Sequence, residues 1–392
     1  MRRRFWVGGL LAAFVGIGVI LALHPQLPVL ASEGFPAAEW PANGRFLTVE
    51  GSEAGDPAAP ETAIPADALA RFKEGGGRAL IIMEPDGPTL EHYAPGTTRD
   101  TRLNSYSLAK SLVGALMVRA VADGRIDLDR PIVDYVPLPY RDGAPIASAT
   151  VRDVLRMRIG LALAPEPTKA VSGVGRKSLD DAFSPFSALA RVHAFGPALL
   201  TERLIDPGPE ARGEFRYQSA NTALLALAIE RVYQRALPDL LSELIWKPAG
   251  AAEAYWRAYP RDERATAYCC LYARPLDWAL VGLFIASNGT SDEPFLPPEL
   301  WREFILPELG DERRSGVYGW HIHHDVLDRD GEALAGPFSY MMGYGGQVVY
   351  LLPDPVSPRV VVRFGATTQL LHSTLYELSD ALDGAMVART DR

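Results

Sequence analysis

Ser107 and Lys110 lie three residues apart in Asn104-Ser105-Tyr106-Ser107-Leu108-Ala109-Lys110-Ser111, at the head of an apolar run that reads as a helix. Three positions is nearly one helical turn, so the serine hydroxyl and the lysine amine face the same way. Val113, Met117 and Val121 continue the face of Lys110, which predicts a lysine pointing inward rather than into water. Burial disfavours the charged ammonium, and a neutral amine can take a proton from a neighbouring hydroxyl. The pair therefore has the chemistry of a nucleophile and its base. Ser-x-x-Lys also arises by chance, and a helical lysine ordinarily extends its head to solvent. However, the chain holds only five lysines (Lys73, Lys110, Lys169, Lys177 and Lys247) in a Lys+Arg total of 39, and only Lys110 follows a serine at this spacing. Where arginine is the default cation, an inward lysine supplies a group that can deprotonate.

Three further groups could do chemistry. Pro207-Gly208 and then Phe215-Arg216-Tyr217-Gln218-Ser219-Ala220-Asn221 deliver a tyrosine and a serine just before a helix. Their alternative roles are a core aromatic for Tyr217 and an N-cap for Ser219. Met342-Gly343-Tyr344-Gly345-Gly346-Gln347 leads into a strand, Val348 to Leu352, with glycines that allow a substrate to approach the strand edge or mark a bulge. His321-Ile322-His323-His324 places His321 and His323 on one strand face at metal-like spacing. Without carboxylates or cysteines nearby in sequence, packed or solvated histidines are the favoured reading and no metal is expected. Cys269 and Cys270 are adjacent and close no loop; they read as buried free thiols.

These residues need elements to position them. Arg2, Arg3 and Arg4 precede Phe5 to Leu23, an apolar run long enough to span a bilayer with the arginines left in the cytoplasm. A cleaved signal peptide ending at Val29-Leu30-Ala31 is the rival reading, although the run exceeds the usual h-region. A Pro-, Ala- and Gly-rich linker with a short strand at Arg45 to Glu50 follows. Folded structure starts with a helix, Ala66 to Lys73, and a hairpin, Arg78 to Glu84 with Thr89 to Tyr93, around Asp86-Gly87. The Ser107 helix stops at Asp123-Gly124. Helical patterns then cover Thr150 to Arg158, Ser184 to Ile205 with a break at Gly196-Pro197, Ala220 to Gln234, Leu237 to Trp246, Arg274 to Ser287 and the neighbourhood of Leu300. Strands return at Tyr318 to Val326, Gly346 to Leu352 and Arg359 to Gly365, before a last helix, Leu371 to Ala388. Strands at both ends and helices between predict an α+β fold: one antiparallel sheet flanked by helices, with an inserted, mostly helical subdomain over about 125–310. The cleft between the two parts is the expected place for a site. A formal net charge of −9 and the absence of a basic block past the first residues exclude a nucleic-acid partner.

Taken in order, the stretches Ser105 to Ser111, Asp123-Gly124-Arg125-Ile126-Asp127-Leu128-Asp129, Pro207-Gly208 to Asn221, Ile245-Trp246-Lys247-Pro248-Ala249-Gly250, Tyr318-Gly319-Trp320, and Gly343 to Gln347 with Pro353-Asp354-Pro355 resemble the penicillin-recognising serine hydrolases. That family includes class C β-lactamases, DD-peptidases and related esterases, and the resemblance is strongest to its 6-aminohexanoate-dimer (nylon oligomer) hydrolase branch. With the apolar run read as a membrane anchor or uncleaved signal over 1–24 and the Pro-, Ala- and Gly-rich stretch as a linker over 25–65, the resemblance implies a hydrolase domain over 66–392. It further implies Ser107 as nucleophile, Lys110 as its activating partner, Tyr217 as second base and proton shuttle, and the backbone N–H groups of Ser107 and Gln347 as the oxyanion hole. Ser219, Tyr344, Gly345 and Gly346 are the implied substrate-binding positions. No cofactor is implied, and the oligomeric state stays open.

The departures from the family pattern are informative. Ser219 stands where class C enzymes have the Asn of Tyr-x-Asn, and Tyr344-Gly345-Gly346 replaces Lys-Thr-Gly. Met157-Arg158-Ile159-Gly160 replaces Met-Thr-Ser-Gly. A tyrosine offers a neutral hydroxyl where a lysine would offer fixed positive charge, so recognition of a substrate carboxylate is expected to be weak. The expected activity is hydrolysis of esters or linear amides through an acyl-enzyme on Ser107, at the cell inner membrane or in the periplasm. A β-lactamase or DD-peptidase, or a non-catalytic envelope protein on the same scaffold, is the alternative.

Overall fold

The computed structural model describes residues 15–35, 41–140, 144–163, 177–178, 184–205, 213–305, 317–329, 332–352, 357–367, 372, 374–375 and 378. In chain order, a short helix α1 (Leu27–Ser32) and strand β1 (Phe46–Val49) precede helix α2 (Ala66–Glu74). The hairpin of β2 (Gly77–Glu84) and β3 (Gly87–Tyr93) follows, then the two-residue β4 (Leu103–Asn104). Helices α3 (Leu108–Ala122), α4 (Val151–Leu155), α5 (Ala188–Phe195), α6 (Ala198–Arg203), α7 (Ser219–Tyr233) and α8 (Leu237–Leu241) form the middle. Among them β5 (Ala162–Leu163), β6 (Lys177–Ser178) and β7 (Leu204–Ile205) make a small sheet. β8 (Ala254–Arg257), β9 (Leu271–Ala273), α9 (Pro275–Ala286) and α10 (Pro298–Ile305) lead into β10 (Val317–Gly319), β11 (Ile322–Arg329), β12 (Glu332–Gly343), β13 (Gln347–Leu352) and β14 (Arg359–Gly365).

The main sheet is antiparallel in the order β10-β11-β12-β13-β14-β2-β3, so the early hairpin joins the late strands across the helical middle. Its central strands read as unbroken apolar runs because both faces are covered. Ile81, Met83, Val349, Leu351, Val360 and Val362 enter the main core. The alternate residues Leu80, Ile82, Val348, Tyr350 and Val361 enter a second core with Phe72, Leu375 and Leu378. Helix α9 lies against β13, β14 and β2, where a Cβ on Gly282 would press within about 3 Å of Val349 and Val360. A second sheet, β1-β8-β9-β4, ends beside the Ser107 segment. The expected α+β arrangement is the one observed.

Helix α3 is central rather than amphipathic: twelve of its residues, from Leu108 round to Ala120, are buried. Its inward lysine therefore follows from burial on every side, not from an apolar stripe. Gly114 lets the Trp320–His321 turn close on the helix, since a Cβ there would collide with the Trp320 carbonyl oxygen. Ser111 Oγ donates to the His321 carbonyl at 2.8 Å, and the His321 ring bonds Thr222 Oγ1 at 2.9 Å and the Leu155 carbonyl at 2.8 Å. His321 thus ties α4 and α7 together through its ring and α3 through its carbonyl.

Several expectations change. Strand β12 was not among the expected strands; although it holds Gly336-Pro337, a pair that favours turns, it pairs with both β11 and β13, with register shifts on β11 between Asp325 and Leu327 and between Leu327 and Asp328. His321 lies in the turn before β11 at φ +62°, whereas His323 stacks on Tyr340, so the two do not share a strand face. Among the described residues no cluster of His, Cys, Asp or Glu could hold a metal. Cys269 and Cys270 are not free thiols; they form a disulfide with each other, Cys270 taking a φ of +68°. Most of the Leu371 to Ala388 segment, Pro207-Gly208 and Pro353-Asp354-Pro355 lie outside the described residues.

The N-terminal region is docked where a linker was expected. Leu30 and Gln26 of α1 and its approach are buried, and Gln26 Nε2 donates to the Pro185 carbonyl at 2.9 Å. Glu33 reaches the interior, where the Arg257 guanidinium donates to it at 2.6 and 3.3 Å and also to Thr266 Oγ1 and the His193 carbonyl. Burial pushes the Glu33 carboxyl up, but its hydrogen bond to His193 and the Arg257 charge hold it below the usual carboxylate range. Of the Phe5 to Leu23 run, residues 15–23 are described; they are helical and exposed. Among the described residues no helix is long and apolar enough to cross a membrane.

Burial depresses the imidazoles of His321 and His324 to about 3, so both are neutral in the folded chain. The unfolded chain binds a proton at each below about pH 6.5. The unfolded state then holds more protons than the native state, so stability falls as pH drops from about 6.5 towards about 3, by up to roughly 1.4 kcal/mol per pH unit for each histidine. Urea unfolding at about pH 7 and pH 5 measures this, and a midpoint that does not fall contradicts the neutral, buried assignment.

Candidate active site

Asn104 at the end of β4 pairs with Tyr272 of β9, and the pairing continues into Ser105. The Ser105 N–H donates to the Leu271 carbonyl at 2.9 Å, and the Leu271 N–H returns to Ser105 Oγ at 3.1 Å. Tyr106 then takes a φ of +46°, its N–H held by Asn104 Oδ1 at 2.9 Å. A left-handed conformation is unfavourable for a tyrosine and persists only where its surroundings impose it. This sharp reversal sets Ser107 at the N-cap of α3. Its hydroxyl makes no capping bond and is free to face along the helix.

Lys110 lies one turn on and is 2 % exposed. Its Nζ donates to Ser107 Oγ at 2.9 Å and to the Tyr268 carbonyl at 3.0 Å. The same nitrogen lies 5.0 Å from the centre of the Tyr217 ring and 5.8 Å from that of Tyr268. Tyr217 is delivered by an extended loop held on both sides. The Arg216 N–H donates to the Met157 carbonyl, Gln218 exchanges hydrogen bonds with the Leu161 backbone, and Asn221 Nδ2 donates to the Ile159 carbonyl. Ser107, Lys110 and Tyr217, more than a hundred residues apart at the extremes, therefore meet around one amine.

The far wall is the β12–β13 turn. A Cβ on Gly343 would collide with the Ser105 carbonyl oxygen and lie 3.3 Å from both the Ser107 nitrogen and Gln347 Cβ, so Gly343 packs directly between the two segments. Gly345 and Gly346 take φ of +78° and +79°. Arg363 Nη1 donates to the Gly346 carbonyl at 2.6 Å and Nη2 to that of Gly75 at 2.7 Å. The Gln347 side chain donates to the Tyr344 and Gly365 carbonyls and accepts the Gly365 N–H, fixing the start of β13. Tyr344 is 74 % exposed and meets the Tyr106 ring edge-on at 5.6 Å. Tyr318 packs against Tyr217, Phe215 and His323, extending an aromatic wall. Ser219 is the first residue of α7 and is 3 % exposed, about as buried as Lys110.

Tyr268 and Ser105 were not anticipated. Tyr268 meets Lys110 through its backbone carbonyl across 158 positions, an interaction that carries no side-chain signature. Ser105 was visible only as a neighbour of Ser107.

A chain folded this way, with a serine and lysine one turn apart at the head of a buried helix, has the form of a penicillin-recognising hydrolase. A sequence profile of the beta-lactamase family matches residues 66–291, more than half of the chain, and the protein belongs to that family. The 6-aminohexanoate-dimer hydrolase of Paenarthrobacter ureafaciens is 29 % identical over 274 residues, covering 67 % of this chain and 68 % of that protein. Among solved structures, a Bacillus anthracis protein described as a 6-aminohexanoate-dimer hydrolase superposes with a TM-score of 0.67 at 18 % identity, covering 89 % of this chain and 94 % of its own. A penicillin binding protein from Bacillus halodurans superposes at 0.53 with 15 % identity, covering 81 % and 99 %. The family and the hydrolase names among the relatives support a hydrolase.

Gly343 does not have a left-handed φ, so Gly343→Ala tests the close approach alone. The added methyl should cost about 1–3 kcal/mol of stability and displace the Ser105–Ser107 backbone. Thermal unfolding together with the rate of fluorophosphonate labelling measures both, and an unchanged midpoint and rate would show that the segments do not pack as described.

Proposed function

We propose that the protein is a serine hydrolase that cleaves uncharged esters or linear amides through an acyl-enzyme on Ser107. The observation that carries this reading is the buried Lys110 amine 2.9 Å from the Ser107 hydroxyl. Lys110 takes the Ser107 proton while Oγ attacks the substrate carbonyl. The backbone N–H groups of Ser107 and Gln347 hold the resulting oxyanion, each such donor being worth roughly 3 kcal/mol in the transition state. The N-terminus of α3 adds a favourable dipole. Tyr217, against the same amine, relays a proton to the leaving alcohol or amine, and water then enters to release the acid and restore Ser107.

Tyr344 supports an uncharged substrate. It stands exposed at the rim and presents an aromatic face and a neutral hydroxyl. Arg363, which reaches the same turn, is buried and directs its donors to two backbone carbonyls, so it supplies no accessible charge for a carboxylate. The bond in the dimer named for the Paenarthrobacter relative, a linear amide, fits the acyl-enzyme chemistry, whereas the dimer's terminal carboxylate finds no paired charge at this turn.

The location we propose is outside the cytoplasm, with the N-terminal apolar segment retained as an anchor. Support comes from the three arginines ahead of the run, from the disulfide, a bond that persists in oxidising compartments, and from the docking of α1. Cleavage after Ala31 would remove Gln26 and Leu30, which are buried against the body.

Ser107→Ala should abolish fluorophosphonate labelling, and Lys110→Ala and Tyr217→Phe should each lower hydrolysis at least about a hundredfold. Near-normal turnover in folded Ser107→Ala protein would leave the scaffold without a catalytic role for this serine. Parallel kinetics should show p-nitrophenyl butyrate turned over much faster than nitrocefin, with a 6-aminohexanoate dimer measuring how far a linear amide that carries a carboxylate is accepted; nitrocefin ahead of the ester assigns a β-lactamase. Mass spectrometry of membrane-fraction protein should recover peptides from residues 1–24, whereas a mature N-terminus near Ser32 removes the anchor.

A further inference from the structure

The segment from Thr266 to Leu271 carries both backbone groups that grip the catalytic strand-to-helix turn. The Tyr268 carbonyl accepts from Lys110 Nζ at 3.0 Å, and the Leu271 N–H and carbonyl bond Ser105, two residues before the nucleophile. Between them stand only Cys269 and Cys270, joined to each other. Their disulfide closes a small ring through the intervening peptide. Cys270 holds a φ of +68°, a region costly for a residue with a Cβ. The surrounding contacts hold the peptide by its backbone groups: Cys269 N–H donates to the Thr266 carbonyl, Arg257 N–H to the Cys270 carbonyl and the Trp256 indole Nε1–H to the Cys269 carbonyl, each at 3.0 Å. Cys270 is 1 % exposed, whereas Cys269 is half-buried.

We propose that the Cys269–Cys270 disulfide is a positioning element of the active site: it fixes the peptide that aims the Tyr268 carbonyl at Lys110 and the Leu271 backbone at Ser105. This rests on the reading of Ser107 and Lys110 as nucleophile and base. A dithiol reductant opens the ring by thiolate attack on Cys269 Sγ, giving a mixed disulfide that the second thiolate resolves. Two electrons and two protons pass to the protein, leaving two cysteine thiols and one cyclic disulfide of the reductant. Cys270 is then released to the ordinary φ region. The Tyr268 carbonyl turns with it, and the Lys110 amine loses the acceptor that holds it beside Ser107. Oxidation restores both. The pair thereby makes the enzyme responsive to thiol reductants although neither cysteine touches the substrate.

The test uses the full chain, air-oxidised and then treated with dithiothreitol, with the mass gain of two hydrogens confirming reduction. Kinetics on p-nitrophenyl butyrate should show kcat lowered about tenfold or more with KM changed less than about twofold, the pH–rate profile displaced, and full recovery on reoxidation. Hydrogen exchange, which needs no turnover, should quicken at the Ser105 and Leu271 amides in the reduced protein. Cys269→Ser/Cys270→Ser should match the reduced enzyme and ignore dithiothreitol. Unchanged kcat or unchanged exchange after complete reduction overturns the proposal, as does recovery of two free thiols from the air-oxidised protein. An oxidised protein that neither hydrolyses the ester nor takes up fluorophosphonate sinks the reading of the site and this inference with it, an outcome distinct from the others.

Discussion

An amine held inside the protein, between a serine hydroxyl and a backbone carbonyl, is the constraint on which the architecture turns. Removing such a group from water is costly unless its donors find acceptors. Ser107 Oγ and the Tyr268 carbonyl are two such acceptors. Supplying them requires that α3 be buried on all sides, that a sharp turn at Tyr106 precede it, and that β9 run alongside to bring up residue 268. Gly114 and Gly343 allow the Trp320–His321 turn and the β12–β13 turn to close on the helix and on its N-terminal approach. Neither sheet by itself makes the site; the short β4–β9 pairing and the long β12–β13 hairpin meet across the helix N-terminus.

Much of this was legible in the sequence because local signals agree with the fold. The glycine stop at Asp123-Gly124, the hairpin at Asp86-Gly87 and the Thr150 cap, which forms a reciprocal box with Asp153, all lie where their chemistry indicates. The encounter of Ser107 with Lys110 follows from helical spacing. Its meeting with Tyr217 was implied by resemblance and is now seen around the Lys110 amine. What stayed hidden is non-local or backbone-borne. The Tyr268 carbonyl has no side-chain signal, β12 conceals a strand behind Gly336-Pro337, and adjacent cysteines look too close to bond until the backbone turns between them. The histidines misled through spacing: His321 is occupied in joining three helices, which nothing in its immediate neighbours reveals.

The surroundings of Ser107 and Lys110 are rich in aromatic side chains. Tyr106, Tyr344, Tyr217, Tyr318 and Phe215 line up along the approach. Aromatic rings bury large area while fixing few torsions, and they suit flat or extended apolar chains better than ionised ones.

The ion pair between Glu33 and Arg257 redraws the boundary of the folding unit. The family match begins at residue 66, and a domain cut there would look complete by homology. Yet Arg257 is fully buried, and its carboxylate partner lies 33 positions earlier than that start. A shortened chain lacking Glu33 would leave a guanidinium stranded in the interior, a loss on the order of 3–5 kcal/mol for one partner of a buried pair. The segment from Gln26 to Glu33 is thus part of the folded body rather than a linker leading to it, and a chain trimmed to the family match would lose an interior ion pair along with it.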